Sequence, residues 1–416
     1  MCIAKIISSG NSYSGRKKQT TEVKKGTIMR QLTKTFKNQI LIIVMVSMLT
    51  LLPGLFSIPV TDIDEARFAQ SSKQMLETHQ FGIIKIQNEN RHLKPPGIYW
   101  LQSAATVLSQ KAPFNQIFSY RLPSFIATML ITLLIFVLGR KLFTRETAFL
   151  SSVIFCCMLT VGYEATFSST DAVFSLCIFV MQFALAQIYT RNDTTDAPPF
   201  WSSMFWISMS LGVFIKGLSP LFALSTVIFL KLIDGKNILW WKKLRPLYGL
   251  TILIILTISW LIPFSILGHS NFLFDMIQSD LLPKIAGGQQ HHGAPPGYYI
   301  LLISILAWPM SLYIIPTCVY AKKHFKDKKT KLLIAWIVPN WLIFSLIPTK
   351  LPQYILPLMP AIAYLMATQL QHLRQNSSAA LSKKVKITAG FIWLFYNSII
   401  CIGLLALIHI NLWLQF

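Results

Sequence analysis

Long apolar stretches recur along the whole chain, separated by polar or charged connectors. Most are long enough, at about 1.5 Å of rise per helical residue, to cross the ~30 Å hydrocarbon core of a bilayer. The pattern predicts eleven spans, near 38–60, 118–139, 146–164, 170–189, 200–216, 218–232, 246–268, 297–320, 332–347, 351–370 and 387–413. The fifth and sixth are short and meet at Lys216-Gly217, so they form either a re-entrant pair or one broken helix. Two connectors carry their own pattern, a first outer loop at 61–117 and a second at 269–296. In the first, Asp62 or Asp64 N-caps a helix that runs to about Glu77, with acids at the positive end of its dipole. Phe81 to Ile86 reads as a short extended piece and Asn88 to Asn90 as a turn. Ser103 to Phe118 reads as an amphipathic helix along the membrane surface.

Composition agrees with an all-α polytopic membrane protein. Hydrophobic residues make up 53% of the 416, charged residues only 13%. The formal charge of +23 becomes informative once it is placed on the spans. With the N-terminus inside, 28 of the 38 Lys and Arg residues fall in inside segments, and the outside is nearly neutral. That is a positive-inside distribution. It excludes nucleic-acid binding, which would need a soluble domain to carry the charge. Residues 1–37, rich in Ser, Thr and Lys, predict a disordered cytoplasmic tail, and 38–416 the membrane domain. The first apolar run is long for a signal peptide and lacks a small-residue cleavage site, so it reads as a retained anchor. The cysteines, apart from Cys2, lie in apolar spans with neither metal-ligand spacing nor a disulfide framework.

Candidate chemistry gathers on the outer side. Lys94 precedes Pro95-Pro96, a stiff support on which a positive charge can meet an anion. Asp171 opens the fourth span. A carboxylate there is costly in lipid and must face protein or water, although it can also simply N-cap the span. Glu164 reads as closer to solvent. Lys216 either snorkels or faces a cavity, and snorkelling is the simpler reading. His291 and His292 are half a metal site at most, because zinc sites take three or four protein ligands, and they also suit a polar loop or a phosphate. A divalent metal is therefore unsupported. Lys350 and Tyr354 stand at the outer end of the tenth span.

Several of these stretches resemble one family. DEARFAQ…ML, followed about thirty residues on by KPPGIYWLQ, resembles the first outer loop of the bacterial aminoarabinose transferases. Those are membrane glycosyltransferases of the type C fold, distantly similar to protein mannosyltransferases. GRKLF at 139–143, TDA at 170–172, LGVFIKGLSPLFAL at 211–224 and PTKLPQYILPLMP at 348–360 are similar to further motifs of that family, in the same order. The resemblance implies transfer of a sugar from a polyprenyl-phosphate donor to lipid A or another envelope glycan, at the outer face of the bacterial inner membrane. The donor, the acceptor and membrane lipids are then the partners. Larger members continue into a soluble outer domain, which is not expected here.

On that reading Asp64 is the first catalytic candidate and Asp171 the second. They stabilise positive character at the anomeric carbon, or orient and deprotonate the attacking group. Lys94 meets the developing charge on the leaving phosphate. Arg67, Glu65, Tyr99, Lys350, Tyr354, His291 and His292 are supporting substrate-binding candidates. A single displacement inverts the anomeric centre and needs no covalent intermediate. One departure stands out: the family carries an acid directly before its KPP lysine, and here that position is Leu93, with His92 one place earlier. Two other readings compete. A protein Ser or Thr could be the acceptor, or the chain could be a transporter of lipid-linked sugars. A transporter would concentrate polar groups at mid-membrane, whereas here they gather at outer loops and outer helix ends.

Overall fold

The computed structural model describes residues 35–60, 62–191, 199–235, 239–268, 272–283, 293–375 and 382–413. The described part is almost wholly helical. The chain starts with α1 (Phe36–Leu51), capped by Thr35, and the short α2 (Pro53–Ser57). The first outer loop then builds α3 (Ile63–Thr78), a two-stranded hairpin of β1 (Lys85–Ile86) and β2 (Glu89–Asn90), and α4 (Gly97–Ser109). The bundle continues through α5 (Ile117–Gly139), α6 (Arg145–Cys156), α7 (Leu159–Ala165), α8 (Asp171–Tyr189), α9 (Pro199–Ile215) and α10 (Ser219–Asp234). After the short α11 (Leu239–Lys243) come α12 (Pro246–Leu267) and α13 (Phe272–Met276), which runs on as a π-turn over Ile277–Leu281. The last part holds α14 (Tyr298–Leu306), α15 (Ile314–Lys323), α16 (Lys328–Leu346), a 3-10 segment Pro352–Leu358, α17 (Met359–Gln375) and α18 (Lys383–Trp413).

Helix α8 is the hub. In its most apolar window 89% is buried, against 22% for α1–α2 and 11% for α11–α12. It packs against α5 and α9, while α12 covers α9 from the rim. Helices α9 and α10 fold back on each other: Ser219 Oγ donates to Met209 O at 2.6 Å across a turn in which Gly217 takes φ +83°. A side chain at that φ would be strained, so glycine is needed there. The re-entrant reading of this pair describes it better than one broken helix.

Among the described residues, four stretches are by themselves long and apolar enough to cross a membrane: Phe36–Ser57, Ile117–Gly139, Asp171–Tyr189 and Trp240–Leu267. Helices α6 and α7 form a fifth, bent by 65°. The other apolar runs also lie on helices, most of them shorter or broken, and the last on the long α18. Pro309, which lacks an N–H, separates α14 from the 3-10 turn Met310–Tyr313, and a 3-10 segment opens α17.

The first outer loop follows its sequence closely, with two corrections. Asp62 caps α3 by accepting from Asp64 N at 2.6 Å, and Asp64 and Glu65 fill the first turn. The turn between the strands is Gln87-Asn88, not Asn88 to Asn90. Gln74 fixes it by bonding both Gln87 N and Gln87 O, at 2.9 and 2.7 Å. Helix α4 starts at Gly97, directly after the two prolines, rather than at Ser103. Gly97 lets it approach α9 closely, since a Cβ there would lie 2.6 Å from Phe214 O. Its polar residues point inward. Gln102 accepts from Ser72 Oγ at 2.7 Å and donates to Ser168 Oγ at 2.9 Å, while Leu101, Val107 and Leu108 are exposed. An apolar outer face over a polar inner one suits a helix lying in lipid rather than in water.

Candidate active site

Successive side chains on a helix point about 100° apart, and at the start of α3 this gives neighbouring acids opposite fates. Asp64 faces outward, 37% exposed, with Arg67 Nη1 at 3.4 Å and Arg91 Nη2 at 3.9 Å from Oδ1. Glu65 faces inward and is 1% exposed. It accepts from Arg121 Nε at 2.7 Å, Arg121 Nη2 at 2.9 Å and Ser168 N at 3.0 Å. Arg121 also donates to Ile58 O at 2.7 Å. The Glu65 carboxylate thus neutralises a buried guanidinium and ties α3 to α5 and to the segment before α8. Both carboxylate oxygens are engaged in these ties.

Asp171 is not the cap of α8. Thr170 occupies that position without a side-chain bond, and Asp171 lies in the first turn, its N–H bonded to Ser169 Oγ at 3.2 Å. Its carboxylate takes the Lys216 ammonium, which lies 4.9 Å from the Tyr354 ring. Lys216 therefore does not snorkel; its side chain is 7% exposed and committed to the ion pair. Glu164, read as near solvent, is buried and joined to the same group through Ser169 Oγ at 3.4 Å. Sequence reasoning missed both. The signal for Lys216 was a lone cation in an apolar run, with Glu164 and Asp171 as acids at the border of other apolar runs.

The other candidates divide. Lys94 is partly buried against the buried Pro95 and Pro96. Tyr99 is wholly buried and packs on Phe68 at 5.5 Å, so its ring belongs to the α3–α4 core rather than to a substrate cavity. Lys350 donates to Ala294 O at 2.8 Å and Ile347 O at 2.7 Å, which pins the end of the second outer loop to the chain before Pro352. Its ammonium serves backbone carbonyls, and burial pushes its pKa down. His291 and His292 lie outside the described residues. Among the described residues no three His, Cys, Asp or Glu side chains gather as a metal site requires.

Two cavities lie on either side of the buried Phe272. One, of about 630 Å³, is polar and lined by Arg67, Glu89, Arg91, His92, Asp275 and Gln278 among others. His92 Nδ1 and Asp275 Oδ2 are 2.8 Å apart and bridge the two outer loops. The other, of about 440 Å³, is an apolar groove between α4, α9 and α12, lined by Phe81, Trp100, Phe214, Trp260 and Phe264. Phe272 stands between them: its ring is 5.3 Å from His92 and 4.9 Å from Phe264. A charged head and a long apolar tail could occupy the two sides at once.

The family model of dolichyl-phosphate-mannose-protein mannosyltransferase matches residues 93–262. Undecaprenyl phosphate-α-4-amino-4-deoxy-L-arabinose arabinosyl transferases are similar over most of the chain. The one from Pseudomonas savastanoi is 26% identical over 84% of this chain and 63% of its own length. The one from Aeromonas hydrophila is 28% identical, over 84% and 62%. The crystal structure of ArnT from Cupriavidus metallidurans bound to undecaprenyl phosphate superposes with a TM-score of 0.74 at 18% identity, over 89% of this chain and 65% of that one. The chain is aminoarabinose-transferase-like. It has the fold of ArnT and spans less than two-thirds of the length of these relatives. The departure at Leu93 now has a structural setting, since the adjacent His92 has Asp275 as its partner.

Proposed function

We propose that the protein is an inverting glycosyltransferase that moves a sugar from a polyprenyl-phosphate donor to lipid A or another envelope glycan. The observation that carries this reading is the pairing of a polar cavity, with Arg67 and Arg91 on its wall, with an apolar groove across Phe272. A lipid phosphate has that form, and the relatives are named for a sugar on undecaprenyl phosphate. The carrier chain lies along the groove between α4 and α12, and its phosphate rests at the outer loop, where Lys94 and Arg67 receive the charge of the leaving group. Asp64, with Arg67 and Arg91 beside it, orients the acceptor. Asp171, paired with Lys216 beneath Tyr354, supports the reacting region from the bundle side. The sugar's anomeric carbon bonds to an acceptor oxygen as its bond to the carrier phosphate breaks. The acceptor's proton, where it has one, leaves through a carboxylate or water, and polyprenyl phosphate is released.

The same reading places the N-terminus and residues 1–37 in the cytoplasm, eleven helical passes or re-entrant segments over 38–416, and the outer loops on the periplasmic side of the inner membrane. The charge distribution supports it. The family match at 93–262 favours one second reading, with a protein hydroxyl as acceptor.

The test is transfer by the purified full chain from undecaprenyl-phosphate-linked aminoarabinose, offered lipid A, a dephosphorylated lipid A and a Ser/Thr-rich peptide in parallel. Product on lipid A supports the first reading and product on the peptide the second. A donor neither bound nor consumed with any acceptor overturns both.

A further inference from the structure

The turn between α5 and α6 carries GRKLF, which the chemistry above leaves unused. Two arginines at this turn are anchored on the first turn of α1. The Arg140 guanidinium lies over the Phe36 ring at 4.0 Å and over Phe136 at 5.2 Å. Stacking fixes the plane of a guanidinium and leaves its edge, which carries the N–H donors, free to meet an anion. Arg145 opens α6 and donates from Nε to Oε1 of the buried Gln39 at 2.5 Å. Its Nη2 is buried without an acceptor, which leaves Nη1 to reach a ligand. Phe36 and Gln39 are three residues apart and lie on one face of α1, so the two guanidiniums are held about one helical turn from each other. Lys37 is exposed on the same turn of α1. Among the described residues neither arginine has a carboxylate partner, and Glu146, next to Arg145, is exposed. Fixed cations without counter-charges call for an anion from outside the chain.

We propose that Arg140, Arg145 and Lys37 form a binding site for the phosphate of an anionic phospholipid. The surroundings select a lipid over a soluble phosphate. Lys37, Leu41, Met45 and Met48 are all exposed and share one stripe of α1, a cation at its end and apolar side chains along the rest. The stretch Phe36–Ser57 is long and apolar enough to cross a membrane, and only 22% of its most apolar window is covered by the protein. A phosphate held at the cations lays its acyl chains along that stripe. Basic pockets between membrane helices at the cytoplasmic side receive anionic headgroups in this way. The site is also separate from the outer cavities. Helix α5 has 23 residues, so Arg140 lies about 35 Å along its axis from the first outer loop. A carrier whose phosphate rests at Lys94 does not reach it. Placement in the inner leaflet rests on the topology proposed above; the lipid contact itself does not.

The test titrates phosphatidylglycerol, phosphatidylethanolamine with the same acyl chains, and glycerol 1-phosphate into the delipidated full chain in detergent, with bound ligand read by native mass spectrometry. Wild type should take phosphatidylglycerol about tenfold or more tighter than phosphatidylethanolamine. Arg140→Gln combined with Lys37→Gln should remove that preference and leave phosphatidylethanolamine within about twofold of wild type. Arg145→Gln should act in the same direction. If its lost tie to Gln39 keeps it from purifying as a monodisperse protein, the Arg140 and Lys37 pair, both at exposed positions, carries the test. Equal affinity of wild type for the two lipids overturns the proposal, as does an unchanged preference in the double variant. An equal loss of both lipids in that variant would mark a packing defect and overturn it too. Glycerol 1-phosphate bound as tightly as phosphatidylglycerol would make this a site for soluble phosphate, and displacement of phosphatidylglycerol by equimolar undecaprenyl phosphate would give it to the carrier; either result overturns the assignment. A preference that depends on these cations, in a chain that neither binds nor consumes the sugar donor, would leave this site standing and remove the proposed function.

Discussion

Lys216 and Asp171 form an ion pair between the end of α9 and the start of α8, with side chains only 7% and 9% exposed. Neither charge has water enough to stand alone. Removing one partner of a buried pair typically costs about 3–5 kcal/mol, because the other charge stays behind. Lys216→Ala should therefore lower the melting temperature in detergent sharply. The double variant Lys216→Met with Asp171→Asn should recover most of that loss while remaining inactive. Additive losses in the double variant would show that the two side chains do not act as a pair.

Asp64 and Glu65 are adjacent but make opposite predictions. Asp64 is outward and touches Arg67 and Arg91 only at 3.4 and 3.9 Å, so Asp64→Asn should leave the protein monodisperse and nearly as stable. Transfer should fall about a hundredfold or more, the range lost with a group that acts in the reaction itself. Glu65→Gln should do the reverse. It strands the Arg121 guanidinium and should cost about 3–5 kcal/mol of stability, with turnover per folded molecule largely kept. Thermal unfolding and a transfer assay on the same preparations separate the two. Near-normal transfer by Asp64→Asn would remove it from the mechanism.

Much of this was legible in the sequence because local chemistry dictates it. Asp62 caps α3, the prolines stiffen the start of α4, and the positions of the long apolar runs follow from hydropathy alone. What hydropathy cannot show is partnership across the bundle. Glu65, in the first outer loop, and Arg121, at the start of the second span, are 56 residues apart, and nothing local to either shows that they pair. Lys216 lies 45 residues from Asp171, so an apolar flank suggested a snorkelling lysine. Helix α4 was displaced by six residues in the sequence reading because its inner face is polar, the inverse of a water-soluble amphipathic helix. The breaks near Pro309 and Pro352 interrupt runs that average to apolar in any window.

Lys350 offers a test by pH. It is 4% exposed under a thin cover of chain, and desolvation holds its pKa below the ordinary lysine range. The folded protein therefore releases this proton at a lower pH than the unfolded chain does. Between those two titrations the unfolded state binds more protons, so stability rises with pH. The gain is complete above the unfolded value and is lost as pH falls through the folded one. The neutral amine keeps N–H groups for Ala294 O and Ile347 O, so the tie survives deprotonation. Wild type should gain stability relative to Lys350→Met across the alkaline window just below the titration of free lysine. A difference that is flat or that shrinks there would show that the ammonium is well solvated.

Lys94 carries the prediction closest to the chemistry. It is partly buried just ahead of Pro95 and Pro96, which are themselves buried and restrict its backbone to extended geometry. From α4 onward the chain leads directly to Trp100, a wall of the apolar groove, whose Nε1 donates to Phe81 O at 2.9 Å. A carrier chain in that groove would bring its phosphate to the level of Lys94. A charge-assisted hydrogen bond in a partly dry site contributes about 1.5–3 kcal/mol, which is roughly tenfold to more than a hundredfold in affinity. Lys94→Ala should weaken the sugar donor and free undecaprenyl phosphate by the same factor, because both present the same phosphate. Lys94→Arg should restore part of it, with charge kept and geometry changed. If the lysine were an interfacial anchor only, alanine would alter expression or insertion and leave carrier affinity untouched. Titrating undecaprenyl phosphate into purified, monodisperse Lys94→Ala decides between the two, and wild-type affinity in that variant would sink the assignment.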